Sequence, residues 1–340
     1  MNDKSKTIEN LVTERNQAKF IFTAGPASLL PENLAGLRPC FGRGDGDYDA
    51  VELDVLTRLK AMSGHQKIAR MQGSASLALE ISSLNFLYGR VLVINTGYYS
   101  ERLTWLAESA QRRTGEIKSV TTVGWKDMAS ITAQYDWVVA CYTETSCGLK
   151  LPIEALKALS TKLKARLMLD ATASIGLETG HEQADVIAYS SCKGLFGLTG
   201  AAFIAFNETP TIESDSFYLS LASHLEKRMT GPYHAIASLY EVLKRHDDFK
   251  AAVFENKRIF CEKFLHQKSP ESNLLSTHQP VLCTWVAGEI TSSDPRAVLY
   301  KPRGNQGGSV VCHLGEVHLE RQAHGQILDS LQLTAPLTAR

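Results

Sequence analysis

A single lysine stands in the stretch Asp185–Glu208, DVIAYSSCKGLFGLTGAAFIAFNE, which between its acidic ends is otherwise apolar, small or neutral. The amine of Lys193 has two possible uses there. It reaches solvent along its stem, as most lysines do, or it is a partly desolvated nucleophile able to condense with an aldehyde. Asp170 ends the run ARLMLD and is followed by the small residues ATASIG. A carboxylate at a buried strand end needs a cationic partner, or else it caps the next turn. Gly73-Ser74-Ala75-Ser76 opens an amphipathic run in RMQGSASLALEISSLNF. The first N–H groups of a helix suit a phosphate, although Ser74 as an ordinary N-cap fits the same residues. In NTGYYSERL, Tyr99 falls just past an apolar run. Its ring either lies flat on a planar ligand or packs under the sheet edge.

Taken in order, these residues match the needs of pyridoxal phosphate. The helix start takes the phosphate and the aromatic carries the ring. The acid keeps the ring nitrogen protonated, and the lysine condenses with the aldehyde.

Such residues must be held by a regular scaffold, and the chain has the signals for one. RVLVINTG precedes a helical SERLTWLAESAQRR, YDWVVACYT precedes IEALKALSTKLK, and ARLMLDAT precedes the two runs VIAYS and AAFIAF. Strands spaced by helices predict βαβ units and a mainly parallel sheet, with ligands at the carboxyl ends of the strands. Tyr99, Thr145, Asp170 and Lys193 all fall at such ends. Gly194, Gly197 and Gly200 in the lysine loop permit close backbone approach. After about residue 236, ASLYEVLKRHDDFKAAVFENKRIFCEKFLHQK reads as long amphipathic helix, followed by VLCTWVAG, SVVCHLGEV and a closing helix near ERQAHGQILDSLQ. Between those β runs TSSDPRAVLYKPRGNQGG reads as an exposed loop, at least in part. The reading is therefore α/β. An N-terminal arm (1–19) precedes a large domain (20–240) and a smaller α+β C-terminal domain (241–340).

The 340 residues carry 36 basic and 36 acidic side chains, with 44% apolar and 21% charged residues. This balance gives no reason to expect nucleic acid or an anionic membrane as partner. No apolar run approaches a membrane span, and the polar MNDKSKTIENLVTERNQAK has no signal-peptide core, so the chain reads as cytoplasmic. Cysteines at 40, 141, 147, 192, 261, 283 and 312 show no metal-ligand or disulfide spacing, and no metal is expected.

The chain resembles the class V, fold type I aminotransferases that use pyridoxal phosphate, most of all the 2-aminoethylphosphonate–pyruvate transaminase branch. The resemblance runs from residue 20 to about 235. It is carried by FTAGP, QGSASLALE, NTGYYSERL, TETSCGLKLPIEAL, LMLDATASIG and SSCKGLFGLTG, in the family's order. It implies Lys193 as Schiff-base lysine and proton shuttle, Asp170 on the ring nitrogen, and Tyr99 on the ring face. It also implies Ser74, Ala75, Ser76 and Ser190 at the phosphate and Thr145 at the ring oxygen. Thr230 would reach the phosphate of a partner subunit, so a homodimer with shared sites is implied. Thr23, Ala24 and Gly25 would line the substrate side. The family's carboxylate-binding arginine is replaced by Val310, which leaves Arg303 and Arg43 as candidates for an anionic group. Cys192 stands where the family has asparagine. The implied reaction moves an amino group from a small anionic amine to a 2-oxo acid. Rival readings are a lyase using the same cofactor and a degenerate homologue acting as a binding subunit.

Overall fold

The structure, a computed structural model, describes residues 7–37, 42–212, 214–265, 278–304, 307–319 and 321–334. The first part of the expected arm and Cys40 lie outside the described residues.

Runs of Val, Ile, Leu and Ala form a seven-stranded sheet. Its order is Lys67–Gln72, Ala201–Phe206, Val186–Ser190, Arg166–Asp170, Trp137–Cys141, Gly89–Asn95 and Ile117–Gly124. Ala201–Phe206 runs against both neighbours, and the remaining pairs are parallel. Central strands buried on both faces read as unbroken apolar runs. Alternation nevertheless sorts their side chains. Leu92, Ile94, Val138, Ala140, Leu167, Leu169, Ile187 and Tyr189 go to one cluster. Val91, Val93, Val139, Met168, Val186 and Ala188 go to another.

Helices cover both faces. Leu103, Leu106, Ala107 and Ala110 on Tyr98–Thr114 repeat at helical spacing and join Leu79, Ile81 and Leu84 of Ala75–Phe86 in the second cluster. The first face takes Val55 and Leu59 of Gly46–Ser63, Leu156 and Leu159 of Ile153–Leu163, and Ile236 and Leu239 of Tyr233–Val242. Gly46–Ser63 starts where Asp45 accepts from the N–H groups of Asp47 and Tyr48 at 3.0 and 3.3 Å, and it stops at Gly64 with φ 71°.

Gly89–Asn95 pairs with Ile117–Gly124 on one side and Trp137–Cys141 on the other. The crossover from Gly89–Asn95 runs to Ile117–Gly124 on one side, and that from Trp137–Cys141 runs to Arg166–Asp170 on the other. This is the switch point at which a parallel sheet opens a crevice at its carboxyl ends.

The C-terminal part is α+β. The long helix expected there is broken at 243–245 by a 3-10 turn, giving Tyr233–Val242 and His246–Phe264. Cys283–Val286 pairs with Ser309–Cys312, and Glu289–Ser292 with Leu331–Thr334. The expected loop contains the strand Ala297–Leu299, which pairs parallel with Phe20–Phe22. The chain's first strand therefore lies with the C-terminal unit. Among the described residues no helix is long and apolar enough to cross a membrane.

One buried ionic cluster ties Gly46–Ser63 to the edge strand. Glu52, 1% exposed, accepts from Arg70 Nε at 2.6 Å and Tyr48 Oη at 3.2 Å, and Lys227 Nζ meets its other oxygen. Burial pushes the Glu52 carboxyl up, but hydrogen bonds from Lys227 and Arg70, with their charges, outweigh it and hold the group below its ordinary 4.5. Its folded-state value is depressed, so the stability it contributes is present above 4.5 and is lost as pH falls through the lower folded value. Arg70→Ala is expected to lower the unfolding free energy by about 3–5 kcal/mol near neutral pH. It should also shrink the Glu52 part of the acid limb, because losing Arg70 raises the folded carboxyl toward or above its ordinary 4.5, read as a shallower fall of stability below that pH by urea unfolding across a pH series. An acid limb of unchanged depth would detach Glu52 from it.

Candidate active site

Lys193 is held by a loop with little freedom. Ser191 N–H donates to Ala201 O at 3.0 Å, Gly197 N–H to Ser191 O at 2.8 Å, and Phe196 N–H to Lys193 O at 2.8 Å. Ala27 N–H donates to Cys192 O at 2.9 Å, and His246 Nε2 lies 2.8 Å from Gly194 O. Burial lowers His246 below its ordinary value, so the neutral ring donates its Nε2–H to that carbonyl. A Cβ on Gly194 would stand 2.3 Å from Ile175 O, and one on Gly25, at φ +138°, 3.0 Å from Lys193 Cγ. Backbone close to backbone on one side and to the lysine stem on the other requires glycine at both positions. Lys193 is half-buried, and its Nζ lies 5.7 Å from the Tyr99 ring centroid rather than out along the surface.

That amine borders a cavity of about 190 Å³ at the carboxyl ends of the central strands. Its wall includes Ser74, Ala75, Ser76, Tyr99, Thr145, Asp170, Ser190 and Lys193, every residue that the sequence linked to the cofactor except Thr230. Ser74 is the N-cap residue of Ala75–Phe86, yet its side chain makes no capping bond, and the hydroxyl is left to the cavity. Asp170, 3% exposed, does both jobs open to it. Oδ1 accepts from Thr172 N–H at 2.9 Å and from the Thr172 hydroxyl, whereas Oδ2 faces Arg102 Nη2 at 3.3 Å.

Tyr99 owes its place to a second buried acid. Glu144, fully buried, accepts from the N–H groups of Tyr99 and Ser100 at 3.0 and 3.1 Å. It also accepts from Ser146 N–H at 3.2 Å and Ser146 Oγ at 2.5 Å. Burial raises the carboxyl above its ordinary value against the pull of the Ser146 and Ser100 donors. An acceptor at this point fixes the first turn of Tyr98–Thr114.

The substrate-side candidates lie in three places. Gly25 packs on the Lys193 stem beside Thr23 and Ala24, and Ala24 is buried with Ala173, Phe196 and Val310. Val310, 2% exposed, sits in that apolar cluster. Arg303 is exposed on the segment after Ala297–Leu299, where Nη1 donates to Tyr98 Oη at 3.0 Å. The Tyr98 ring stands 5.4 Å from the Tyr99 ring at 88°. Thr23, Ala24, Gly25, Arg303, Arg43 and Thr230 all lie outside this cavity's wall: Arg43 Nη2 donates to Lys227 O at 2.7 Å, and Thr230 is exposed.

Sequence reasoning missed Arg102, Glu144, Thr143 and Thr172. Arg102 had a signal, since it lies three residues beyond Tyr99 and hence on the same helix face. Its guanidinium carbon lies 5.1 Å from the Tyr99 ring centroid. Glu144 had a weaker one, as an acid inside the apolar run WVVACYTE.

Among the described residues, buried Thr143 Oγ1 and Arg102 Nε have no hydrogen-bond partner. With the uncommitted Ser74 hydroxyl, they are polar groups that pyridoxal phosphate would satisfy. An amine, an acid and an aromatic face already border the same space. The residues fit the group.

No protein-family model matches the chain. It is 26% identical over 256 residues to the 2-aminoethylphosphonate–pyruvate transaminase of Pseudomonas aeruginosa, covering 68% of this chain and 69% of that protein. The enzyme of the same name from Syntrophobacter fumaroxidans is 25% identical over 265 residues, covering 70% and 71%. Among solved structures, alanine–glyoxylate aminotransferase from Nostoc sp. superposes with a TM-score of 0.76 at 17% identity, covering 92% of this chain and 94% of that one. An aspartate aminotransferase from Thermus thermophilus gives 0.74 at 20% identity, covering 92% and 97%. These likenesses bear out the fold type I architecture, the resemblance read from the sequence, the transaminase class and pyridoxal phosphate as cofactor.

Glu144→Ala removes the acceptor shared by Tyr99, Ser100 and Ser146. It is expected to lower the unfolding free energy by about 3 kcal/mol and to weaken pyridoxal phosphate binding through the shifted Tyr99. Urea unfolding and cofactor titration measure the two effects. An unchanged unfolding midpoint would end the proposed role of Glu144.

Proposed function

We propose that this chain moves an amino group from a small anionic amine, of the 2-aminoethylphosphonate or amino-acid kind, to a 2-oxo acid. The observation that carries this reading is the Lys193 amine and the Asp170 carboxylate on the wall of one cavity, together with Tyr99 and the helix start Ser74–Ser76. Pyridoxal phosphate, when bound, supplies an aldehyde for the amine and a ring that takes up the electron pair left when Cα loses its proton.

The chain's own residues do the rest. Ser74, Ala75 and Ser76, with the free N–H groups of the helix start, bind the phosphate, and Ser190 adds a hydroxyl. Tyr99 carries the ring on its face, and Thr145 donates to the ring oxygen. Asp170 holds the proton at the ring nitrogen. Lys193 Nζ would take the proton from the substrate's Cα and hold it for return. Gly25, having no Cβ, leaves room for the lysine stem that lies against it. Thr230 of a second copy would complete the phosphate site, which makes the working form a homodimer. The exposure of Thr230 in the single chain is consistent with that role.

For the substrate's anionic group, Val310 offers no charge, and its apolar neighbours leave no room for one. Arg303 is the better candidate, because it bonds Tyr98, whose ring stands against the ring of the wall residue Tyr99. Thr23 and Ala24 would line the same side. Arg43 bonds the segment that carries Thr230, so it would serve a partner's site rather than its own. The missing clamp at Val310 also favours a lyase on the same cofactor. The two readings separate on one observation: a 2-oxo acid restores the yellow enzyme after an amine has bleached it only if the amino group is transferred.

Lys193→Ala is expected to abolish both the yellow colour and turnover, read by absorbance and product assay. Retained colour with wild-type affinity would move the attachment to another lysine. Arg303→Ala should raise KM for an anionic amine by about tenfold or more, the value of a charge-assisted hydrogen bond. It should leave kcat and the KM of a neutral amine near wild type. An equal effect on both amines would remove Arg303 from substrate recognition.

A further inference from the structure

We propose that Arg102 is the fixed cation for the cofactor's phosphate, so that one guanidinium ties the phosphate cradle to the acid at the ring nitrogen. The inference rests on the cofactor reading above and deepens it.

The charge balance of the cavity calls for such a group. A phosphate monoester carries a charge of about −1.5 to −2 near neutral pH. Ser74, Ala75 and Ser76 are neutral, and a helix N-terminus supplies the equivalent of only about half a positive charge. Among the described wall residues the charged ones are Arg102, Asp170 and Lys193. Lys193 is engaged with the aldehyde, and Asp170 has the wrong sign. Arg102 is the cation that remains.

Its geometry suits the task. Nη1 donates to Ser76 Oγ at 3.1 Å, at the first turn of Ala75–Phe86. Nε is buried, has no partner among the described residues and keeps a free N–H. The guanidinium carbon lies 5.1 Å from the Tyr99 ring centroid, which fixes the fork beside the place assigned to the cofactor ring. Its contact with Asp170 is long, 3.3 Å, against 2.6 Å for the buried pair Arg70–Glu52. The fork is therefore not saturated by the carboxylate. A guanidinium has five N–H donors, enough to serve Asp170, Ser76 and an anion together.

The competing role is purely structural, with Arg102 doing no more than neutralise Asp170. The phosphate separates the two. Cofactor-free full-length protein would be titrated with pyridoxal phosphate and with pyridoxal, by absorbance, and inorganic phosphate would be added as competitor. For Arg102→Gln we expect pyridoxal phosphate affinity to fall by about 10- to 100-fold. Pyridoxal affinity should stay within about twofold, and competition by inorganic phosphate should disappear. Arg102→Lys keeps a charge without the fork and should lose less affinity for pyridoxal phosphate than Arg102→Gln. If Arg102→Gln fails to fold, the same comparison is read on Arg102→Lys, whose loss must be confined to the phosphorylated ligand. Equal losses for the two ligands, or none, would overturn the inference. A wild-type chain that binds neither ligand would instead overturn the cofactor reading beneath it.

Discussion

The carboxylate of Asp170 sets the terms for the site. It ends a central strand, it is 3% exposed, and a buried charge without partners costs several kcal/mol. Its oxygens are served separately, one by the Thr172 turn that follows the strand and one by Arg102 from another helix. The first partner is local and follows from the sequence. The second exists only because the sheet changes direction between Gly89–Asn95 and Trp137–Cys141, which brings the start of Tyr98–Thr114 beside the end of Arg166–Asp170. The same helix presents Tyr99 and Arg102 on one face. Neutralising the acid and supplying a ring platform are thus done by one turn of helix.

That turn is itself pinned by an acid, and the two buried glutamates are stabilised in opposite ways. Glu52 is surrounded by cations, which hold its carboxyl low. Glu144 is surrounded by backbone and serine donors without a cation in contact, and burial prevails, which raises it. Ring donors that are part of the backbone cannot rotate away, so Glu144 fixes position better than it fixes charge. A site that must hold a planar ring against Tyr99 needs the former.

Much of this was legible in the sequence, for definite reasons. Central strands such as VIAYS and AAFIAF are buried on both faces and stand out as apolar runs. Lys193, Asp170, Ser74 and Tyr99 stand at the ends of such runs or helices, so their convergence follows once the strands are parallel. Edge strands were not legible. Ile117–Gly124, IKSVTTVG, is mostly half-buried or exposed and carries no apolar run. The break at 243–245 has no glycine or proline to announce it; His246 turns to bond Gly194 O, and Arg245 reaches Glu32, so tertiary contacts decide it. Arg102 and Glu144 act across 68 and 45 residues of sequence, on Asp170 and Tyr99 respectively. No local pattern encodes contacts of that range.

On the proposed reading, Val310 marks a place from which a binding charge has moved within the fold. The apolar cluster it belongs to includes Ala24, Ala173, Phe196 and Leu282. An arginine there would have to leave solvent, at a cost of several kcal/mol in the free enzyme. Valine removes that cost and adds apolar contact. Arg303 keeps its guanidinium in solvent and tethers it by one bond to Tyr98, so the free enzyme bears little desolvation penalty. The consequence is a looser grip. A buried bidentate clamp selects one planar anion, whereas an exposed arginine on a loop tolerates anions of different size, carboxylate and phosphonate among them. On that reading the site takes its orientation from Tyr99 and Lys193 and its charge preference from the exposed Arg303.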